Sequence, residues 1–333
     1  MRFVLEESSW SWDGQDREGF IERLEQLLDR TDVARERGEA FAASTELLRQ
    51  QVHGHELSDL LFNTELPLSL PPEVGQRVAA LLGSLTLWDE REQWPGLEVR
   101  IGGAEPVLSV SGAFAHARTE AGVATACLAL PGKVSGPQEV VMDGLPVQVH
   151  FVVDEATHRA FFRHALEVER VDERGLEELA EHAFPDLYFC DGVWRGLGEM
   201  EGGYARVREA LHQVLGVLDD HGAWVFTDES GRLSRNDPAP SDAERQPVTN
   251  QLVGRRFQQW GYEVAPEKPN VREDGACRRA RERMLGRRTL YCEWHYKFER
   301  HTNRLHLHPP VPESGNRVVV AILHGHLPLP GDG

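Results

Sequence analysis

Between Leu290 and Phe298 the chain alternates: Leu290, Cys292, Trp294, Tyr296 and Phe298 hold the even positions, and the odd ones include Glu293, His295 and Lys297. A period of two sends successive side chains to opposite faces and predicts a half-buried strand. The pattern returns at Arg304, Leu305, His306, Leu307 and His308. If the two runs form a hairpin, both apolar sets must share a face, because a one-residue slip would bury the charges. A four-residue loop from Arg300 to Asn303 satisfies this by pairing Glu299 with Arg304, Lys297 with His306 and His295 with His308. A third strand lies within NRVVVAILHGHL, joined through PPVPESGN. The expected apolar face is Trp294, Tyr296, Phe298, Leu305, Leu307, Val319, Ala321 and Leu323.

The polar face of that sheet carries the densest chemistry. About forty residues from Thr289 to Pro328 hold six of the fifteen histidines. Two imidazoles beside lysine and arginine can move protons while the cations meet an anionic transition state, which suits RNA cleavage through the 2′-hydroxyl. His295, Lys297, Arg304, His306 and His308 are therefore the expected catalytic set, with no metal and no cofactor required. Two alternatives stay open. The His-x-His pairs His306/His308 and His324/His326, with Glu293, would suit a metal-binding hydrolase. Alternatively, these side chains pair with acidic residues elsewhere, in a non-enzymatic assembly or regulatory subunit.

Charge is unevenly spread. The net charge is -18, yet residues 251 to 333 hold 14 Lys and Arg against 9 Asp and Glu. Such polarity points to a basic part that meets nucleic acid, or docks on an acidic partner. The run Cys277 to Arg288 reads as a basic helix, so Arg278, Arg279, Arg281, Arg283, Arg287 and Arg288 are the expected nucleic-acid contacts, RNA ahead of DNA. The acidic N-terminal region is the candidate surface for a protein partner.

The rest of the chain reads as α+β. RFVLEE suggests a short strand, followed by helical spacing of Phe20, Ile21, Leu24, Leu27 and Leu28 behind a candidate cap at Asp16. PEVGQRVAALLGSL reads as a helix opened by Pro72. LEVRI, VLSVSGAF, ATACLAL, EVVMD and LPVQVHFVV read as strands of a mostly antiparallel sheet, the last two joined by the hairpin step Asp143-Gly144. A helical stripe follows at Val207, Ala210, Leu211, Val214, Leu215 and Leu218, ending at Gly222 before a strand in AWVFTD. The polar, proline-bearing stretch after it reads as a boundary or a contact arm. Three regions are expected: 1–95, mainly helical with a short N-terminal strand; 96–221, α+β with antiparallel strands; and 222–333, a basic, histidine-rich βααβββ-like module with a half-buried antiparallel sheet. No GxGxxG, GxxxxGK, GxSxG or HExxH pattern occurs. Asp219-Asp220-His221 suits a helix end better than a metal site, and the four cysteines, with no CxxC pair, read as reduced buried thiols. The acidic start and short apolar runs predict no membrane partner and a cytoplasmic location.

From Trp224 to Leu327 the expected order is strand, helix, helix and three strands. This order, with its basic chemistry, resembles the RelE/ParE toxin superfamily, small basic modules that cleave ribosome-bound mRNA or poison gyrase. The resemblance implies a ribonuclease in a toxin or phage-defence setting, with His295, Lys297, Arg304, His306 and His308 in the cleaving positions. It covers about a third of the chain, and the long acidic N-terminal region departs from it.

Overall fold

A computed structural model describes residues 2–11, 17–36, 38–52, 54–62, 70–88, 98–132, 134–227, 248–299 and 302–331. The fold is α+β with antiparallel sheet regions, and the chain divides into two units, Met1–Arg170 and Val171–Gly333. No described helix is long and apolar enough to cross a membrane. The expected divisions at 95/96 and 221/222 fall elsewhere. Strands on either side of residue 95 share one sheet, through Phe3 beside Ala126, and residues 187–189 pair with the C-terminal strand, through Leu187 beside Val318.

Unit 1 runs β1 (Phe3–Leu5), α1 (Arg17–Glu36), β2 (Phe41–Ser44), the ribbon β3 (Gln51–Val52) and β4 (His55–Glu56), α2 (Leu57–Phe62), α3 (Pro72–Ser84) and β5 (Thr86–Trp88). It continues with β6 (Glu98–Ile101), β7 (Val107–Leu108), α4 (Val110–Glu120), β8 (Ala126–Leu128), β9 (Gly136–Met142), β10 (Leu145–Val152) and α5 (Glu155–Val168). The main sheet has the order β5-β2-β1-β8-β10-β9-β6-β7. The hairpin at Asp143-Gly144 forms as expected, with φ of 51° and 79°, and joins β9 to β10. The other half of the sheet, from β5 through β10, is parallel. Short, fully buried strands such as Ala126–Leu128 lack the alternation that separates the two arrangements. VLSVSGAF yields only a two-residue strand before turning helical, because Ser109 caps α4 by accepting from the Gly112 N–H at 2.9 Å. Asp16 lies outside the described residues.

In the parallel half, strand order reverses between β1 and β8, where open α/β sheets place ligands beyond the strands' carboxyl ends. Here the chain's own acids take that place. Glu7 accepts the Val110 and Ser111 N–H groups at the start of α4, the position an anion would occupy. Glu6 accepts from the Ser9 N–H at 2.7 Å and the Ser109 hydroxyl at 2.9 Å. Burial, then the Glu6 charge, raises the Glu7 carboxyl from 4.5 to about 7. Folded chain thus holds a proton that unfolded chain releases near pH 4.5, so stability falls as pH rises from about 4.5 to 7, by as much as ~3 kcal/mol. Glu7→Gln should flatten that slope, read as the urea midpoint at pH 5 and pH 8. An unchanged slope would remove Glu7 as its source.

Unit 2 contains α6 (Glu173–Ala183), β11 (Leu187–Phe189), α7 (Gly203–Val225), α8 (Asn250–Gln258), β12 (Val264–Ala265), α9 (Pro269–Glu273) and α10 (Gly275–Ala280). The strands β13 (Glu282–Leu285), β14 (Arg288–Tyr291), β15 (Trp294–Lys297), β16 (Arg304–His308) and β17 (Val318–His324) follow. The sheet order is β11-β17-β16-β15-β12, antiparallel except where β11 runs beside β17. The expected stripe on α7 is buried apart from Ala210. Three expectations change. AWVFTD is helical as far as Val225, since Gly222 sits mid-helix, where a Cβ would come 2.9 Å from the Val318 side chain. Asp219 lies inside the same helix and accepts the Asp186 N–H at 2.6 Å. The basic run forms α10 and the β13–β14 hairpin in place of one helix, because Gly286, at φ 58°, supplies the tight turn between Leu285 and Arg288. The polar stretch after α7 falls on residues 228–247, outside the described residues.

Candidate phosphate-binding cleft

The β15–β16 pair keeps its expected faces but not its register. Lys297 lies opposite Arg304, His295 opposite His306 and Trp294 opposite Leu307, two residues from the expected pairing. Buried Asn303 causes the shift. At φ 55°, its side chain accepts from the Glu201 N–H at 2.8 Å and donates to the Glu201 carbonyl at 3.0 Å, and its carbonyl accepts the Phe298 N–H at 2.9 Å, so β15 ends at Lys297 and Phe298 and Glu299 join the loop. The β17 partners also slip by one residue between His306 and Leu307.

This register separates the expected catalytic residues. His306 is fully buried, its Nδ1 3.1 Å from the Cys292 carbonyl, and burial holds it neutral. Its ring lies tilted against that of His295, centroids 5.5 Å apart, and cannot meet a solvent-borne substrate. His308 pairs with Val319, its Nδ1 2.8 Å from the Pro309 carbonyl. His324 is held by Glu199 at 2.6 Å, and His301 is not described. Among the described residues no three His, Cys, Asp or Glu side chains are placed to hold a metal ion, so the His306/His308/His324/His326 metal arrangement does not form.

His295, Lys297 and Arg304 do come together. They line a cleft of about 360 Å³ whose other walls are Glu267 and Lys268 between β12 and α9, Arg281 after α10, and Leu329 and Pro330. Arg281 is buried, 2.5 Å from Glu267, and donates to the Cys277 and Pro328 carbonyls at 2.9 and 3.1 Å. Lys297 pairs with exposed Glu263 at 2.9 Å. Arg304 faces Lys297 across the strands and has no carboxylate partner among the described residues. Burial pulls its pKa below the ordinary arginine value, with Glu267 offsetting part of the effect. Burial chiefly, then the neighbouring Arg304, Lys297 and Arg281, lowers His295 to about 4 against the pull of Glu267. His295 is therefore neutral at pH 7.

The other arginines scatter. Arg278 pairs with Glu282 at 3.0 Å and Arg288 with Glu313 at 3.1 Å. Arg279 is exposed on α10, Arg287 on the hairpin turn, and half-buried Arg283 donates to the Glu282 carbonyl at 2.8 Å. Of the six, Arg281 alone reaches the cleft wall. Glu267 and Lys268 are cleft residues that the sequence reading missed. No spacing marks them, since the cleft is assembled from five separate stretches of chain. No protein-family model, curated protein or solved structure matches this chain.

Proposed function

We propose that unit 2 is a nucleic-acid-binding module whose cleft takes a backbone phosphate on Arg304, with Lys297 and Lys268 beside it. One observation carries this reading: Arg304 sits directly opposite Lys297 and has no carboxylate partner among the described residues, an arrangement that costs sheet stability unless an anion completes it. Guanidinium hydrogen-bonds phosphate in a bidentate fork, so Arg304 would bind and orient while the lysines add charge. Binding is favoured over cleavage because His295 is the one imidazole among the residues lining the cleft. In a cleaving version, consistent with the RelE/ParE resemblance, His295 would accept the 2′-hydroxyl proton. The phosphate would first have to offset the burial, and after it the cations, that hold its pKa down.

Fluorescence anisotropy with labelled single-stranded RNA tests the proposal. Arg304→Gln should weaken binding about tenfold or more, since a hydrogen bond to a charged group contributes ~1.5 to 3 kcal/mol. The slope of log affinity against log salt should fall by about 0.7, as expected for one lost single-strand phosphate contact. The melting temperature should hold. Unchanged affinity and slope would overturn the reading, and RNA cut by the full chain but not by His295→Ala would restore the nuclease.

A further inference from the structure

Beside the cleft lies a second hollow of about 470 Å³, lined by Asn250, Gln251, Gly254, Arg255 and Gln258 of α8 and by Val264, Ala265 and Pro266. Ala265 and Pro266 belong to both walls, so the two hollows adjoin across β12, the edge strand of the sheet. The chemistry changes from one to the other. The cleft presents cations, whereas the hollow presents three exposed amide side chains over an apolar floor, with Arg255 as its single charge. Gly254 adds a separate indication. It occupies mid-helix, where glycine costs about 1 kcal/mol relative to alanine, and no tight packing demands it, because a Cβ there would meet only the Val264 carbonyl at 3.8 Å. What its missing side chain leaves is space in the hollow.

We infer that this hollow is a base-recognition subsite, taking the nucleobase next to the phosphate held by Arg304. Asn and Gln amides offer a donor and an acceptor side by side and pair with base edges, while a flat base covers the apolar floor. Such an edge is free when the strand is single, so the ligand is single-stranded nucleic acid of at least two nucleotides. Arg255 meets the following phosphate. This inference rests on the binding reading for the cleft and adds base preference to it.

The test compares the full chain with Gln251→Ala/Gln258→Ala and with Gly254→Leu, using labelled homopolymer RNAs (A, C and U) at several salt concentrations. The wild-type chain should prefer one base by about tenfold. Both variants should lose that preference while keeping the salt slope, and an unchanged melting temperature and helical circular dichroism for Gly254→Leu separate filling the hollow from disturbing α8. A wild-type preference that persists in both variants, or no preference with Arg304-dependent binding intact, overturns the subsite and leaves the cleft reading standing. Binding that does not depend on Arg304 overturns both.

Discussion

Arg281→Met should lower the stability of unit 2 by ~3 to 5 kcal/mol, because it leaves the Glu267 carboxylate buried without its cation. Both side chains are under a tenth exposed, and the lost guanidinium also orphans the Cys277 and Pro328 carbonyls. For about 160 residues this corresponds to a fall in melting temperature on the order of 10 °C. Glu267→Met together with Arg281→Met should regain most of the loss, since replacing both members of a buried pair with apolar side chains is often close to neutral. Arg304→Gln should behave in the opposite way, with binding lost and melting temperature kept. If Arg281→Met instead melts like the wild type and only loses RNA affinity, Arg281 is a ligand-facing cation and the assignment of roles within the cleft is wrong.

That contrast shows where the sequence was legible. The alternation at 294–298 and 304–308 correctly puts Trp294 and Leu307 on one face and His295 and His306 on the other, since parity survives a two-residue change of register. The register itself depends on Asn303, whose left-handed backbone is held by residue 201, a hundred positions away. A half-buried strand implies that its polar face meets solvent. In the structure His306 is buried, and Arg281, Leu290 and Cys292 from the basic run and the strand after it are buried too. Arginine density alone could not separate buried Arg281 from exposed Arg279 and Arg287, because one turn glycine at position 286 converts the expected helix into a hairpin. In unit 1 the β9–β10 hairpin was legible from Asp143-Gly144, whereas the parallel half was not. Apart from β10, its strands are three or four residues long, too short to carry a period.

Gly196→Ala should destabilise unit 2 by ~3 kcal/mol or more, and Gly198→Ala should be close to neutral, although both glycines lie in the same short stretch, WRGLGE. The 3-10 segment Val193–Glu199 lies along β17, where a Cβ on Gly196 would fall 1.7 Å from the Leu323 carbonyl oxygen. No side-chain rotation can relieve an overlap with backbone, so either the segment lifts away or β17 shifts. β17 hydrogen-bonds to strands on both edges and is buried from Val318 to Leu323, which makes its displacement a disturbance of the whole sheet. Overpacking typically costs ~1 to 3 kcal/mol, and a backbone collision of this depth belongs at or beyond the upper end. Gly198 has nothing within 4 Å of its Cβ position, so its change should stay within ~0.5 kcal/mol. Denaturation of the two variants side by side reads the difference directly. Equal stabilities would mean that the segment does not lie against Leu323, and the packing proposed for that face of the sheet would have to be redrawn.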